Sequence, residues 1–196
     1  MRTAKRFLGT SARQVMTAGV VVFVASLPAA GQTPWRLVGH QVSFEIRNAG
    51  LPVRGTFEEL DVDIRFDPSE PTSGALSGRI DPASIKTGIA VRDRHLAGRQ
   101  FFDVRRFPVM EMRSHFIEAT DRPGWFQGEF ELAIRDVTRR VPVSFRFEDD
   151  GDRATLSGTI TIDRVEFGVG DGGFLLGDDV TVNVQLDVER VSFTTP

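Results

Sequence analysis

Apolar and polar residues alternate along most of this chain with a period of two, the spacing that puts successive side chains on opposite faces of a β-strand. The first run follows Trp35 with Val42, Phe44 and Ile46, and the second carries Leu60, Val62, Ile64 and Phe66 before Asp67-Pro68 stops it. Leu76, Gly78 and Ile80 form a third, broken by Asp81-Pro82. After Pro108 the alternation resumes with Met110, Met112, Ser114 and Phe116, then with Phe126 to Ile134, then with Val141, Val143, Phe145 and Phe147. Asp149-Asp150-Gly151-Asp152 is a hairpin signal leading into Leu156, Gly158, Ile160 and Ile162, and Val180 to Val188 completes the series. Eight strands are predicted, and helix signals are scarce.

Eight antiparallel strands with one apolar face each can close into a barrel, which removes the edges that invite aggregation; a two-layer sandwich satisfies the same pattern. The fold class is therefore all-β. A barrel of this size is just wide enough to be filled by its own side chains or to hold one slender ligand. Candidate lining residues are Phe44, Ile46, Phe57, Ile64, Phe66, Met110, Met112, Phe126, Phe130, Phe145, Phe147, Ile160 and Leu186. A dry core and a lipid channel would both use them, because Met is adaptable and Phe bulky. Gly78, Gly128 and Gly158 recur on the inward face, where they either leave room or mark bends at barrel corners.

One irregular stretch interrupts the alternation, from Arg92 to Pro108, which packs acids, a histidine, several arginines and three phenylalanines between two strands. Ordinary connections take about 4 to 6 residues, so a longer one points to function. Arg92, Asp93 and His95 are candidates for a channel mouth that hydrogen-bonds a head group. The competing reading has Asp93 cap a short helix or pair with Arg92 or Arg94, and His95 satisfy a backbone carbonyl. Phe101 and Phe102 either contact a ligand tail or simply plug the barrel end.

Length and composition narrow the picture. The 196 residues suit one domain with a substantial core. Residues 1–31 read as a secretory leader, since Arg2, Lys5, Arg6 and Arg13 precede an apolar run from Val15 to Leu27 and then small residues, with cleavage expected near Gly31. That leaves 32–196 as a single exported domain, placed in the periplasm or secreted. Losing those four basic residues and no acid takes the formal charge from -3 to -7. Such a balance argues against nucleic acid, or an anionic membrane surface, as the main partner.

The absence of cysteine excludes disulfides, thiolate metal sites and cysteine nucleophiles together. Sixteen Phe and no Tyr mean that the large rings carry no hydroxyl in need of a partner, so a greasy interior is expected. Enzyme readings fare badly. His40, His95 and His115 lie in separate elements without metal spacing, and no GxSxG elbow occurs. Gly168, Gly170 and Gly173 match a dinucleotide fingerprint formally but fall between two antiparallel strands. The acidic turn at 148–152 lacks the glutamate-terminated loop of an EF-hand.

Several blocks together resemble the YceI-like family of lipid-binding proteins. These are Trp35 to Phe44 with His40, Arg54-Gly55-Thr56-Phe57, Asp81 to Gly88 followed by Arg92 to Leu96 and Phe101 to Val104, Gly128 to Val143, and Ile162 to Gly168. The likeness covers nearly all of the exported chain and departs from the family pattern at Ile89-Ala90-Val91 and at Val169 to Gly173. It implies an elongated, lipocalin-like barrel with a helix beside it, whose hydrophobic channel holds a polyisoprenoid, an isoprenoid quinone or another long-chain amphiphile. No covalent cofactor and no metal are expected. A carrier is expected, monomeric or homodimeric, in transient contact with a membrane or a membrane cytochrome. Two other classes remain open: a quinone-linked redox accessory and a stress-protective protein with an incidental cavity.

Overall fold

A computed structural model describes residues 33–191, so the expected leader lies outside the described residues. Ten antiparallel strands make up most of it: β1 (Pro34–Asn48), β2 (Leu51–Phe57), β3 (Leu60–Arg65), β4 (Ala75–Ile80), β5 (Ile85–Lys86), β6 (Met110–Ala119), β7 (Trp125–Ile134), β8 (Val137–Asp149), β9 (Arg153–Asp163) and β10 (Leu176–Arg190). A single α-helix among the described residues, α1 (Ala90–Leu96), lies in the long connection between β5 and β6. Strand neighbours run β10-β9-β8-β7-β6-β4-β3-β1, and β10 pairs back onto β1, so these eight close a barrel. They are the eight strands whose alternation the sequence displays.

The two additional strands are those whose pattern is hidden. Leu51, Val53, Gly55 and Phe57 alternate in β2, but the third inward position is a glycine. A methyl group at Gly55 would collide with the Phe44 ring and the Lys86 carbonyl oxygen, so only glycine lets β1, β2 and β5 approach there. β5 is too short to carry a period.

Two bulges switch which face points inward. The register of β1 against β10 slips between Leu37 and Gly39, so Trp35 lies on the inner face with odd numbering, whereas Val42 and Phe44 lie there with even. In β6 the slip falls between Ser114 and Phe116. Phe116, inward by simple alternation, is instead 48% exposed, and Ile117 is buried. Gly128 stands opposite, and a methyl group there would strike the Phe116 carbonyl oxygen, so this inward glycine serves close backbone approach rather than space.

The wall is incomplete in one place. The Phe147 N–H donates toward Gly124 on the β7 side, so odd positions of β8 face β7 and even positions face β9. Pro142 is even and has no N–H to give. The β8–β9 ladder runs only from Phe145–Asp149 to Ala154–Gly158, and Pro142 lies in the stretch of β8 where the pairing is not resumed. Two cores result. At the end holding Thr33 and Val191, Trp35, Phe66, Phe126, Phe145 and Phe147 form a mostly edge-on aromatic cluster, with Phe66 and Phe126 centroids 4.9 Å apart, and the Trp35 indole N–H donates to the Phe66 carbonyl at 2.8 Å. At the other end Val42, Phe44, Phe57, Ile85, Met110 and Phe167 pack beneath the connection that carries α1.

Candidate functional site

Between the aromatic cluster and α1 the barrel is hollow. A cavity of about 300 Å³ runs along the barrel interior, at the lower end of the range found for small-molecule pockets. Its wall follows β10 from Leu176 to Leu186, roughly 33 Å along the strand at about 3.3 Å per residue. The lining is almost wholly apolar; Asn48, Ser77, Thr87, Arg92, Glu111 and Arg164 are its polar members. Several inward residues along the hollow stretch, among them Ile46, Val62, Ile160 and Val182, are only half-buried, whereas Trp35, Phe66, Phe126, Phe145 and Phe147 at the aromatic end are buried.

Ten of the candidate lining residues come together on this surface: Phe44, Ile46, Phe57, Ile64, Met110, Met112, Phe130, Phe145, Ile160 and Leu186. Phe66, Phe126 and Phe147 do not line it; they pack against one another and Trp35 beyond its floor. Gly78 and Gly158 do border the cavity; a methyl group at Gly158 would meet the Ser144 carbonyl oxygen at 3.3 Å, so this glycine serves close approach to β8, whereas one at Gly78 would meet only ordinary contacts.

The mouth is built around Thr87. Asp93 accepts hydrogen bonds from the Thr87 amide, at 2.9 Å, and from its hydroxyl. Arg92 donates Nε to the Thr87 hydroxyl and Nη2 to its carbonyl, each at 2.7 Å. Asp93 thus lies within α1 and bonds back to the strand exit rather than occupying the cap position, which falls to Ile89. The Thr87 bonds hold the Asp93 carboxyl below its usual range, helped by the nearby charges of Lys86 and Arg92, while burial opposes the shift. Arg92 lines the cavity with Thr87; Asp93 and His95 do not. The exposed His95 ring packs edge-on against Phe101, with centroids 5.0 Å apart. Phe101 and Phe102 both line the mouth, and Phe102 meets Phe57 at 6.0 Å.

Arg164 is the residue that pattern reading overlooks. It is 4% exposed, borders the cavity, and donates to the carbonyls of Val169, Asp171, Leu176 and Gly177 and to the Asp178 carboxylate at 3.1 Å. A guanidinium offers five donors in one plane, so a single side chain supplies the bonds that the 168–175 loop cannot make for itself. Its only advance signal is an arginine at a strand end ahead of a glycine-rich loop. Among the described residues, no group of three or more His, Asp or Glu side chains is arranged to hold a metal ion.

Known proteins resemble this chain in sequence and fold. A family model described as "YceI-like domain" matches residues 36–188. A UPF0312 protein of Pseudomonas savastanoi pv. phaseolicola is 27% identical over 136 residues, covering 65% of this chain and 70% of its own length. One of Pseudomonas putida is 27% identical over 158 residues, covering 76% and 80%. Among solved structures, Burkholderia cenocepacia BcnA superposes with a TM-score of 0.71 at 25% identity, over 76% of this chain and 95% of that one. A domain from Saccharophagus degradans, described as polyisoprenoid binding and implicated in plant cell wall breakdown, superposes at 0.64 with 13% identity, over 82% and 99%.

Proposed function

This chain belongs to the YceI-like family, and on that premise we propose that it is an exported carrier that encloses a long-chain apolar amphiphile, a polyisoprenoid or an isoprenoid quinone, without acting on it chemically. The observation that carries this reading is the apolar bore, closed by aromatic rings at one end and bordered by Thr87 and Arg92 at the other. A tail burying about ten methylene equivalents gains roughly 8 kcal/mol gross, before the costs of association and ordering. No catalytic group is required for that gain. One of the two Arg92 Nη nitrogens makes no hydrogen bond among the described residues, which suits a donor to a carbonyl or phosphate head group at the mouth. The leader-like residues 1–31 support export, where an oily chain must cross water. The polyisoprenoid-binding description of the Saccharophagus domain supports the ligand class.

Mass spectrometry of an organic extract from protein purified without detergent tests the proposal. A polyprenyl lipid or quinone in near-stoichiometric amount is the expected result. Protein that yields no lipid and also fails to take up a fluorescent long-chain probe would overturn it.

A further inference from the structure

The mouth is ringed by apolar side chains that the fold leaves uncovered. Phe174 is fully exposed, and Leu51, Val91 and Leu175 are exposed by 70%, 67% and 67%. Of the exposed hydrophobics outside the rim, Val38 and Phe116 have a local cause, since they are turned out at the two bulges. The rim residues are neighbours. The Leu175 carbonyl accepts from the Ala49 amide beside Leu51, and the pairing of Thr56 with Lys86 carries the chain toward the start of β2 as it approaches Ile89 and Val91. A cluster of large apolar groups at one pole marks an interaction site rather than chance exposure.

Charge is distributed to match. Along the barrel wall Arg54, Arg79, Arg140 and Arg190 each lie within 3.1 Å of a carboxylate. In the connection at the mouth, Arg94, Arg99 and Arg105 are exposed and form no ion pair among the described residues. Residues 85–109 hold six basic side chains against Asp93 and Asp103. This segment touches the Phe174 loop, because the Gly170 amide donates to the Gln100 carbonyl at 2.9 Å. The loops of the opposite pole carry Asp67, Glu70, Asp121, Asp150 and Asp152. On the other side of the rim Asp171, Asp178 and Asp179 bracket Phe174 and Leu175, with Asp171 accepting from Gln100 and Asp178 bonded to Arg164, so the mouth presents grease with its unpaired cations on the side of the α1 connection. Those are the two terms that hold a protein to an anionic bilayer surface.

We infer that the rim formed by Leu51, Ile89, Val91, Phe174 and Leu175, with Arg94, Arg99 and Arg105, docks on an anionic phospholipid bilayer with the cavity mouth facing the lipid. The inference rests on the carrier reading for its purpose, since it names where the cargo is exchanged, but not for its test. Purified protein is sedimented with vesicles of phosphatidylcholine, with and without about one-third phosphatidylglycerol. It should pellet with the anionic vesicles at low salt and be released by high salt. Phe174→Ser with Leu175→Ser should weaken partitioning by about tenfold, and Arg94→Gln, Arg99→Gln and Arg105→Gln together by at least as much, while removing the salt dependence. Val38→Ser with Phe116→Ser, away from the mouth, should leave it unchanged. Wild-type protein that stays in the supernatant at low salt, or a Phe174/Leu175 variant that pellets like wild type, overturns the docking surface. Pelleting by a protein that yields no lipid and takes up no long-chain probe sinks the carrier reading alone, and bound lipid without pelleting sinks the docking alone.

Discussion

Thr87 shows how a single residue joins scaffold to site. Its amide, hydroxyl and carbonyl are all bound by two consecutive side chains of α1, Arg92 and Asp93, and the same threonine borders the cavity. The lowered Asp93 pKa gives this lock a defined pH response. A carboxylate whose pKa is depressed on folding contributes stability that is fully present above the unfolded value of about 3.9 and is lost as pH falls through the folded value. Asp93→Asn should therefore melt below wild type at neutral pH. The gap should narrow below about pH 4, as wild type loses its own charge. Thermal melts of both proteins across that range measure it, and a gap independent of pH would show that the charge is not what holds Thr87.

At the level of elements, irregularities do the positioning. The bulges at Val38 and around His115 change which residues face inward halfway along β1 and β6, so that Trp35 and Ile117 serve the aromatic end while Val42, Phe44, Met110 and Met112 serve the hollow one. The β8–β9 ladder stops at Phe145, and Pro142, without an N–H, lies in the unpaired stretch that follows toward the hollow half. Replacing Pro142 with Thr restores a donor on the edge facing β9, so the ladder should extend toward 138–142 and 159–163. Hydrogen exchange should then report slower amides in both segments. The change in global stability should stay within about 1 kcal/mol, because losing proline also frees the unfolded chain. Unchanged exchange would mean that the strands are held apart by packing and not by the missing N–H.

Across the whole molecule, one end is packed to the density of a core and the other keeps a bore, so stability and binding are housed in different halves. Val184 tests that division, because it lines the cavity opposite Gly158 and is only half-buried. Val184→Trp should fill space rather than displace neighbours, keeping the melting temperature near wild type while cutting uptake of a long-chain fluorescent probe by about tenfold or more. A variant that folds and binds the probe normally would place binding outside the bore.

Much of this was legible along the chain. Period-two alternation marked all eight barrel strands, because each buries one face and wets the other. The long run after Arg92 stood out by its length and turned out to hold the helix and the mouth. What alternation could not carry was everything that depends on two distant segments meeting. Phe66, Phe126 and Phe147 have the same local pattern as Phe44 and Phe130, and only the closing of β10 onto β1 sorts them into a filled end and a hollow one. Arg164 looks like any exposed arginine until the 168–175 loop folds over it. Strand identity is a local property of side-chain spacing, whereas hollowness depends on how many side chains reach one point from all around the ring, and that is settled only once the ring closes.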